Sequence, residues 1–248
     1  MEAIKDQAIV LRRLDFSEHS QVLAIFTREH GKVRLIAKGV KRSTKTRFAA
    51  AIDLLEVGEV VIAGAHREKL AILAEWTQVR ALSGLRLRLD RLYGAQYAGG
   101  LTAELTEDWD PHPALFDALA SCLGRLDSEE TVLVQVIGYQ RDLLREIGSA
   151  PVLDHCVGCR RPLPATGALY FSSFEGGVLC RDCEGARTEK YEVPRVALPW
   201  LCGGRGETGA LREAYLTLDY HLAHLMGKRH PLAESLLAAC RRSSSRRQ

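Results

Sequence analysis

Residues 156–183 read Cys-Val-Gly-Cys-Arg-Arg-Pro-Leu-Pro-Ala-Thr-Gly-Ala-Leu-Tyr-Phe-Ser-Ser-Phe-Glu-Gly-Gly-Val-Leu-Cys-Arg-Asp-Cys. The stretch begins and ends with a Cys-x-x-Cys pair, Cys156 with Cys159 and Cys180 with Cys183, and 20 residues separate the pairs. Two thiolates at this spacing turn to one side of a tight turn, and two such turns complete a tetrahedron around Zn²⁺. We therefore predict one zinc ion per chain, bound by these four cysteines.

Four thiolate ligands leave zinc no open position for a reacting water, so the predicted metal is structural rather than catalytic. The alternative for the two pairs is a set of reactive or redox-active cysteines. Between the pairs, Tyr170-Phe171 and Gly176-Gly177 predict a small hairpin. The three single cysteines are predicted to be buried packing residues: Cys122, Cys202 and Cys240.

The N-terminal third of the chain has the pattern of β structure. Short runs rich in Val, Ile and Leu alternate with polar or turn-like segments, which predicts five strands. They are Ile4 to Leu14, Gln21 to Thr27, Lys32 to Ala37, Ala51 to Ala63 and Leu70 to Val79. Five short strands favour a small closed barrel of the OB-fold type, which often binds oligonucleotides. An SH3-like barrel fits nearly as well by strand count alone.

From about Leu82 the apolar period becomes helical. Asp110 followed by Pro111 predicts the start of a second helix, and Ser128 predicts the start of a third. The predicted class is α+β, a barrel followed by a helical domain that carries a zinc module. The predicted limits are 1–80 for the barrel, 81–149 and 191–240 for the two parts of the helical domain, 150–190 for the zinc module and 241–248 for a basic flexible tail.

Charge and hydropathy indicate the compartment. The N-terminus, Met1 to Asp6, is charged and leads directly into a strand pattern, which is unlike a signal peptide. No apolar run approaches the roughly 20 residues that span a bilayer. We expect a cytoplasmic, nucleoid-associated protein without membrane contact, in which the cysteines stay reduced.

The formal net charge of +3 conceals a basic cluster in the barrel. Between Arg28 and Arg47 eight cations face one acid, Glu29. Residues 31–37 alternate so that one face of a strand is apolar while the other carries cations. Clustered cations of this kind predict a polyanionic partner, contacted through phosphates rather than base edges. A solvated surface loop is the alternative. Arg86, Arg88 and Arg91 predict a solvated helix face or, alternatively, an extension of the same track.

Catalytic motifs are weak, and we predict that the chain is not an enzyme. Gly31-Lys32 and Gly227-Lys228 lack the upstream glycine of a phosphate-binding P-loop. His66-Arg67-Glu68 has the spacing of a zinc deaminase, but no proline precedes either cysteine pair. His221 and His224 share a helix face without an acidic neighbour in sequence, which favours packing or surface roles.

Several short motifs resemble a known family. The segments Ala8-Ile9-Val10-Leu11-Arg12, Phe26-Thr27-Arg28-Glu29-His30-Gly31-Lys32 and Ala37-Lys38-Gly39-Val40-Lys41-Arg42 are similar to the N-terminal domain of the bacterial DNA repair protein RecO family. The order of barrel, helices, cysteine pairs and terminal helices resembles that family along the whole chain.

The resemblance implies a non-enzymatic recombination mediator with an N-terminal OB-fold. Such a protein binds single- and double-stranded DNA, anneals complementary strands, and helps load RecA together with RecR. It also contacts the acidic tail of single-stranded-DNA-binding protein (SSB). The family's basic motif matches Lys32, Arg34, Lys38, Lys41 and Arg42, which are therefore the expected DNA contacts. Lys45 and Arg47 lie just beyond that motif and complete the predicted set.

An alternative function is a zinc-containing adaptor whose cations contact an acidic protein surface. A zinc-dependent hydrolase or deaminase is a further alternative. It requires an open metal position, which four-thiolate coordination excludes.

Overall fold

The computed structural model describes residues 3–38, 52–64, 70–128 and 131–245. The chain divides into two compact units, Met1–Glu129 and Glu130–Gln248. The two units are defined by which residues pack together. The domain limits predicted from the sequence rest instead on changes in the spacing of apolar residues, and they stay predictions. Among the described residues, no helix has both the length and the apolarity needed to cross a membrane.

The first unit begins with a closed barrel of five strands. They are β1 (Ile4–Asp15), β2 (Ser20–Thr27), β3 (Gly31–Lys38), β4 (Val57–Ala63) and β5 (Ala71–Arg80). Their order is β1-β2-β3-β5-β4, with β3 parallel to β5 and β1 closing onto β4. This order is that of the OB-fold, and it decides between the two barrel types that strand count alone left open.

Period-two alternation builds the barrel core. In β3 the inward positions are Val33, Leu35 and Ala37, and all three are fully buried. The predicted fourth strand was too long, because β4 begins at Val57 rather than Ala51. Leu55 has a φ of 65°, which is incompatible with an extended strand, so the chain turns before β4 begins.

Three helical segments complete the first unit. A 3₁₀ turn (Ser83–Leu87) precedes α1 (Leu89–Leu105), and α2 covers Pro113–Asp127. The helix start predicted at Asp110 and Pro111 was wrong by two residues. The backbone of Asp110 packs against Gly31, where an added Cβ would lie 2.0 Å from the carbonyl oxygen of Asp110. This contact with the barrel keeps Asp110 outside the helix.

The second unit begins with α3 (Val132–Glu146). Ser128 was predicted to begin this helix, but its hydroxyl donates to the carbonyl oxygen of Arg125 at 2.7 Å, at the end of α2. Gly148 follows α3 with a φ of 70°, as expected of a glycine that ends a helix.

A three-stranded sheet and further helices complete the second unit. The strands are β6 (Leu169–Ser172), β7 (Gly177–Cys180) and β8 (Tyr191–Val193), in the order β7-β6-β8. The hairpin predicted between the cysteine pairs is β6–β7, with Gly176 at a φ of 72° in its turn. The helices are α4 (Arg181–Glu184), α5 (Leu198–Leu201), α6 (Leu211–Met226) and α7 (Ala233–Ser245).

Two predictions about the C-terminal region need correction. The flexible tail was predicted to begin at residue 241, but α7 continues to Ser245, so Arg241 and Arg242 are helical; Arg246 and Arg247 lie outside the described residues. Cys122 is buried as expected, whereas Cys202 is exposed and Cys240 is half-buried. Cys202 follows the four-residue helix α5 directly, at a surface turn.

Candidate nucleic-acid interface and cysteine cluster

The predicted DNA contacts on β3 alternate outward, as the sequence pattern requires. Lys32, Arg34 and Lys38 occupy three of the four even-numbered positions of β3, the fourth being Ile36, and point away from the barrel core. Their surroundings nevertheless differ, because α1 and the segment after it cover only part of the outer face of β3.

Lys32 is engaged with α1. Its Nζ donates to the carbonyl oxygens of Ala103 at 2.8 Å and of Thr106 at 2.5 Å, and lies 3.6 Å from the carboxylate of Asp108. Only 14% of the side chain is exposed. A cation at this position satisfies carbonyl groups that the end of a helix leaves unpaired, and it interacts favourably with the helix dipole. Lys32 therefore contributes to packing, and it is the least accessible of the three cations.

Arg34 is exposed but paired. Its Nε and Nη2 donate to one carboxylate oxygen of Asp108 at 2.7 and 2.6 Å. The side chain is 68% exposed, and the guanidinium carries five N–H groups, more than this carboxylate accepts. Asp108 was not among the predicted site residues, because a separation of 74 residues leaves no local signal in the sequence.

Lys38 ends β3 and is exposed. It is paired in the sheet with Ser20, next to the β1–β2 hairpin. Lys41, Arg42, Lys45 and Arg47 fall outside the part of the chain that the structure describes. Of the predicted DNA contacts, Arg34 and Lys38 are therefore the exposed ones among the described residues.

Other arginines of the first unit, outside the predicted set of DNA contacts, pair with carboxylates or are buried. Arg28 donates from Nε and Nη2 to the two oxygens of Asp117 at 3.0 and 2.8 Å. This hydrogen-bonded ion pair raises the pKa of Arg28 and lowers the pKa of Asp117. It connects the β2–β3 turn to α2.

The three arginines near the first long helix do not form one solvated face. Arg86 pairs with Asp53, and Arg88 pairs with Asp90. Arg91 is buried and donates to the carbonyl oxygen of Asp127 at 3.2 Å. The solvated face predicted from the sequence is therefore wrong for Arg91.

Two of the three aromatic residues that the structure describes in the barrel region, Phe26 and Trp76, are buried. Phe26 is fully buried and lies against Phe116 of α2, with ring centroids 6.2 Å apart. Trp76 is also buried, and its indole N–H donates to Glu56 at 3.2 Å. Phe16 differs, because this residue of the β1–β2 hairpin is 66% exposed.

In the second unit the four paired cysteines converge. Cys156, Cys159, Cys180 and Cys183 place their Sγ atoms within 4.8 Å of one another. The Sγ atoms of Cys159 and Cys180 are 4.0 Å apart. Zinc–sulfur bonds of about 2.3 Å on a tetrahedron separate the sulfur atoms by about 3.8 Å. The cluster therefore fits a metal ion with only small adjustments.

Tight backbone turns make this convergence possible. In the first turn the N–H of Arg160 donates to the carbonyl oxygen of Cys156 at 2.8 Å, and Arg160 adopts a φ of 59°. A Cβ added at Gly158 would lie 2.9 Å from the Cβ of Cys183. A glycine is thus required where the first pair approaches the second.

The first turn favours a thiolate at Cys156. Burial opposes ionisation of Cys156, but the backbone N–H groups of Cys180, Cys159 and Gly158 outweigh it and lower the pKa of Cys156 to about 6. The N–H of Cys180 lies 3.3 Å from the Cys156 sulfur. Thiolates are the metal-binding form of cysteine, so these hydrogen bonds favour Cys156 as a ligand. The neighbouring thiols, Cys180 first, instead raise the pKa of Cys183, which is expected where several thiol groups share one small site.

The two candidate histidines, both in α6, have defined partners among the described residues. His221 is buried, with Nδ1 at 2.7 Å from the Ser173 hydroxyl and Nε2 at 2.9 Å from the carbonyl oxygen of Ser149. His224 does have an acidic neighbour that the sequence did not reveal, since its Nε2 lies 3.7 Å from Glu189. His66-Arg67-Glu68 lies outside the described ranges.

Comparisons with known proteins agree along the chain. The family model described as "Recombination protein O N terminal" matches residues 1–82, and "Recombination protein O C terminal" matches residues 86–232.

Curated relatives of similar length carry one common description. The DNA repair protein RecO of Geobacter metallireducens is 35% identical over 243 residues, which cover 94% of this chain and 97% of the relative. The DNA repair protein RecO of Anaeromyxobacter dehalogenans (strain 2CP-C) is 33% identical over 247 residues, which cover 92% and 94%. That of Rhodopirellula baltica is 32% identical over 182 residues, which cover 73% and 67%.

Proposed function

The chain belongs to the RecO family of DNA repair proteins, and from this premise we propose that it is a recombination mediator that binds and anneals DNA without catalysing a reaction. The observation that supports DNA binding most directly is the pair of exposed cations, Arg34 and Lys38, on the outer face of β3. This face of OB-folds is one that commonly receives oligonucleotides. Lys41, Arg42, Lys45 and Arg47 follow Lys38 in the chain and extend the proposed site.

Annealing requires no bond-making group. Two complementary strands repel each other as polyanions, and a cationic surface lowers this repulsion while the bases remain free to pair. Contacts to phosphates are blind to sequence, so one surface serves single strands and duplexes alike. If about five cations reach phosphates together, the binding constant should fall with a log–log salt slope of about −4.

The proposed partners follow from the family. We expect the chain to act with RecR at the nucleoid, to contact the acidic tail of SSB, and so to help RecA onto coated strands. The basic surface of the barrel is assigned to DNA, and no residue is assigned to the protein partners.

The proposed cofactor is one structural Zn²⁺ held by Cys156, Cys159, Cys180 and Cys183. Their sulfur atoms are close enough to share one ion, and the backbone N–H groups around Cys156 stabilise its thiolate. When bound, zinc would connect the turn at residues 156–159 to the β6–β7 hairpin and α4.

The experiment that tests this function is annealing of two complementary labelled oligonucleotides across a salt series, without nucleotide. The wild type is compared with a variant in which Lys38, Lys41 and Arg42 are all changed to Glu. We expect salt-sensitive annealing that is lost in the variant while its thermal midpoint is kept. If the folded, zinc-loaded wild type does not anneal DNA, the alternative function as a protein-binding adaptor is favoured instead. If the folded triple variant still anneals DNA, the DNA-binding site does not include these three cations.

A further inference from the structure

Four apolar side chains form one outward-facing row across the barrel. Leu14 of β1 is paired with Val22 of β2. Val22 is paired in turn with Ile36 of β3, and Ile36 with Ile72 of β5. Paired residues project from the same face of a sheet, so the four lie side by side. Leu14 is 65% exposed and Ile72 is also exposed, while Val22 and Ile36 are half-buried. We call these four residues the apolar row.

Phe16 adds an aromatic ring at one end of the apolar row. It lies two residues beyond Leu14 at the β1–β2 hairpin, and the residue is 66% exposed. Its backbone N–H donates to the carbonyl oxygen of Ser20 at 3.0 Å, and Ser20 is paired with Lys38. Phe16 and Lys38 therefore lie at the same end of the barrel.

Cations lie on both sides of the apolar row. Along β3, Ile36 lies between Arg34 and Lys38 at two-residue spacing, so the three side chains project from one face. Beyond the row, Ala24 is paired with both Arg34 and Arg12. Arg12 is exposed as well and pairs with Glu104, as Arg34 pairs with Asp108. Apolar surface between cations matches a ligand that has both flat apolar faces and negative charges.

This combination distinguishes between kinds of nucleic acid. Duplex DNA keeps its base faces stacked inside and offers mainly phosphates to a barrel surface, so it would use the cations alone. An unpaired strand exposes base faces as well as phosphates, and proteins bind it with stacking platforms inside cationic grooves. A purely apolar protein partner would gain nothing from Arg34 and Lys38.

We propose that Phe16 and the apolar row hold unpaired bases of single-stranded DNA while Arg34 and Lys38 contact the adjoining phosphates. This inference rests on the proposed DNA binding and adds a preference for the unpaired strand. Apolar contacts do not occupy the hydrogen-bonding edges of the bases, so a base held on the row can still meet its complement. The row thus presents one strand for annealing and releases the product duplex.

The test uses Phe16→Ala and Phe16→Trp in the full-length chain. Binding of a labelled single-stranded oligonucleotide and of a duplex of equal length is measured at one salt concentration. Phe174→Ala is the matched control, because Phe174 is 80% exposed and lies in the other compact unit. Loss of one base stack corresponds to about a tenfold weaker affinity. We expect that loss on single strands for Phe16→Ala, less than about twofold on duplex, and no change for the control.

Phe16→Trp keeps an aromatic surface and provides a second readout. We expect near wild-type affinity and quenching of the new tryptophan by single-stranded DNA but not by duplex. This variant keeps the test decisive if Phe16→Ala disturbs the hairpin.

The contrary outcomes separate this inference from the proposed function. One such outcome is that Phe16→Ala binds single strands like the wild type, while changing Lys38, Lys41 and Arg42 to Glu abolishes binding. The proposed base contacts at Phe16 and the apolar row would then be wrong, and the proposed DNA binding would stand. Equal losses of affinity for the single strand and for the duplex would also contradict the proposed base contacts. If the wild type binds neither DNA, both proposals fail, and a protein partner would become the expected ligand of the apolar row.

Discussion

The ammonium nitrogen of Lys32 lies 2.8 Å from the main-chain carbonyl oxygen of Ala103, in the last turn of α1. A lysine on the strand that carries the proposed DNA contacts thus satisfies the end of a helix instead. Lys38 on the same strand is exposed. The two lysines provide a matched pair for separating stability from binding.

Changing Lys32 to Met should destabilise the first unit more than it weakens DNA binding. The substitution removes a largely buried charge that donates to two carbonyl oxygens, which we expect to cost about 2 kcal/mol of unfolding free energy and to lower the thermal midpoint by about 5 °C. Lys38→Met should leave the midpoint unchanged and weaken DNA binding severalfold. Thermal unfolding and oligonucleotide binding measure both effects. The reverse pattern would place the DNA on the Lys32 side of the strand.

Changing Asp108 to Asn should strengthen DNA binding. Asp108 pairs with Arg34 at 2.6 Å and lies close to Lys32, so its charge both repels phosphate and competes for the guanidinium. Without that charge, we expect severalfold tighter binding at low salt and a salt slope that is steeper by up to about one. Asp142→Asn is the control, since Asp142 forms a similar pair with Arg145 in the other unit. Weaker binding by Asp108→Asn would mean that the carboxylate positions Arg34 for its ligand.

Changing Gly158 to Ala should impair metal binding without removing a ligand. The new Cβ would lie 2.9 Å from the Cβ of Cys183, so the two cysteine pairs must separate. We expect faster zinc loss to a chelator and a lower thermal midpoint. Gly185→Ala is the control, because nothing lies within 4 Å of its new Cβ and its φ of −60° is one that alanine adopts readily. Chelator kinetics that are identical in the two variants would contradict the proposed closure around a metal.

Removing ligands should have a larger effect than Gly158→Ala. The double change of Cys156 and Cys159 to Ser is expected to abolish stoichiometric zinc and to lower the yield and thermal midpoint, because metal binding contributes directly to folding. Cys202→Ser, at an exposed position, is the control. Full stability of the double variant would show that the metal is dispensable to the fold.

Acidification should destabilise the second unit through His221. Burial lowers the pKa of His221, and the nearby His224 adds to this effect, while the hydrogen bond to the Ser149 carbonyl and the charge of Glu189 oppose it. A histidine whose folded pKa is depressed is stabilising when neutral, so its contribution is complete above the unfolded pKa of about 6.5 and is lost as the pH falls below it. We expect the thermal midpoint to fall between pH 7.5 and 5, with a smaller slope in His221→Gln. The exposed His19 provides the control His19→Gln, which should keep the wild-type slope.

Features encoded by near neighbours in the chain could be predicted from the sequence. The alternation in residues 31–37 and the β6–β7 hairpin around Gly176 both appear in the structure as expected. Helix starts were less predictable. Asp110 and Ser128 are good capping residues, but Asp110 packs against Gly31 and Ser128 donates back to α2. Tertiary contacts override a local preference of about 1 kcal/mol.

The sequence by itself determined the two Cys-x-x-Cys turns, the alternation of the N-terminal strands and the basic character of β3. Each of these depends on residues one to four positions apart, where backbone geometry alone sets which side chains share a face. The tertiary structure alone decided which cations on that strand remain accessible. Lys32, Arg34 and Lys38 occupy equivalent positions in the alternating pattern. Their surroundings diverge because Ala103, Thr106 and Asp108, more than 70 residues later in the chain, fold back onto Lys32 and Arg34.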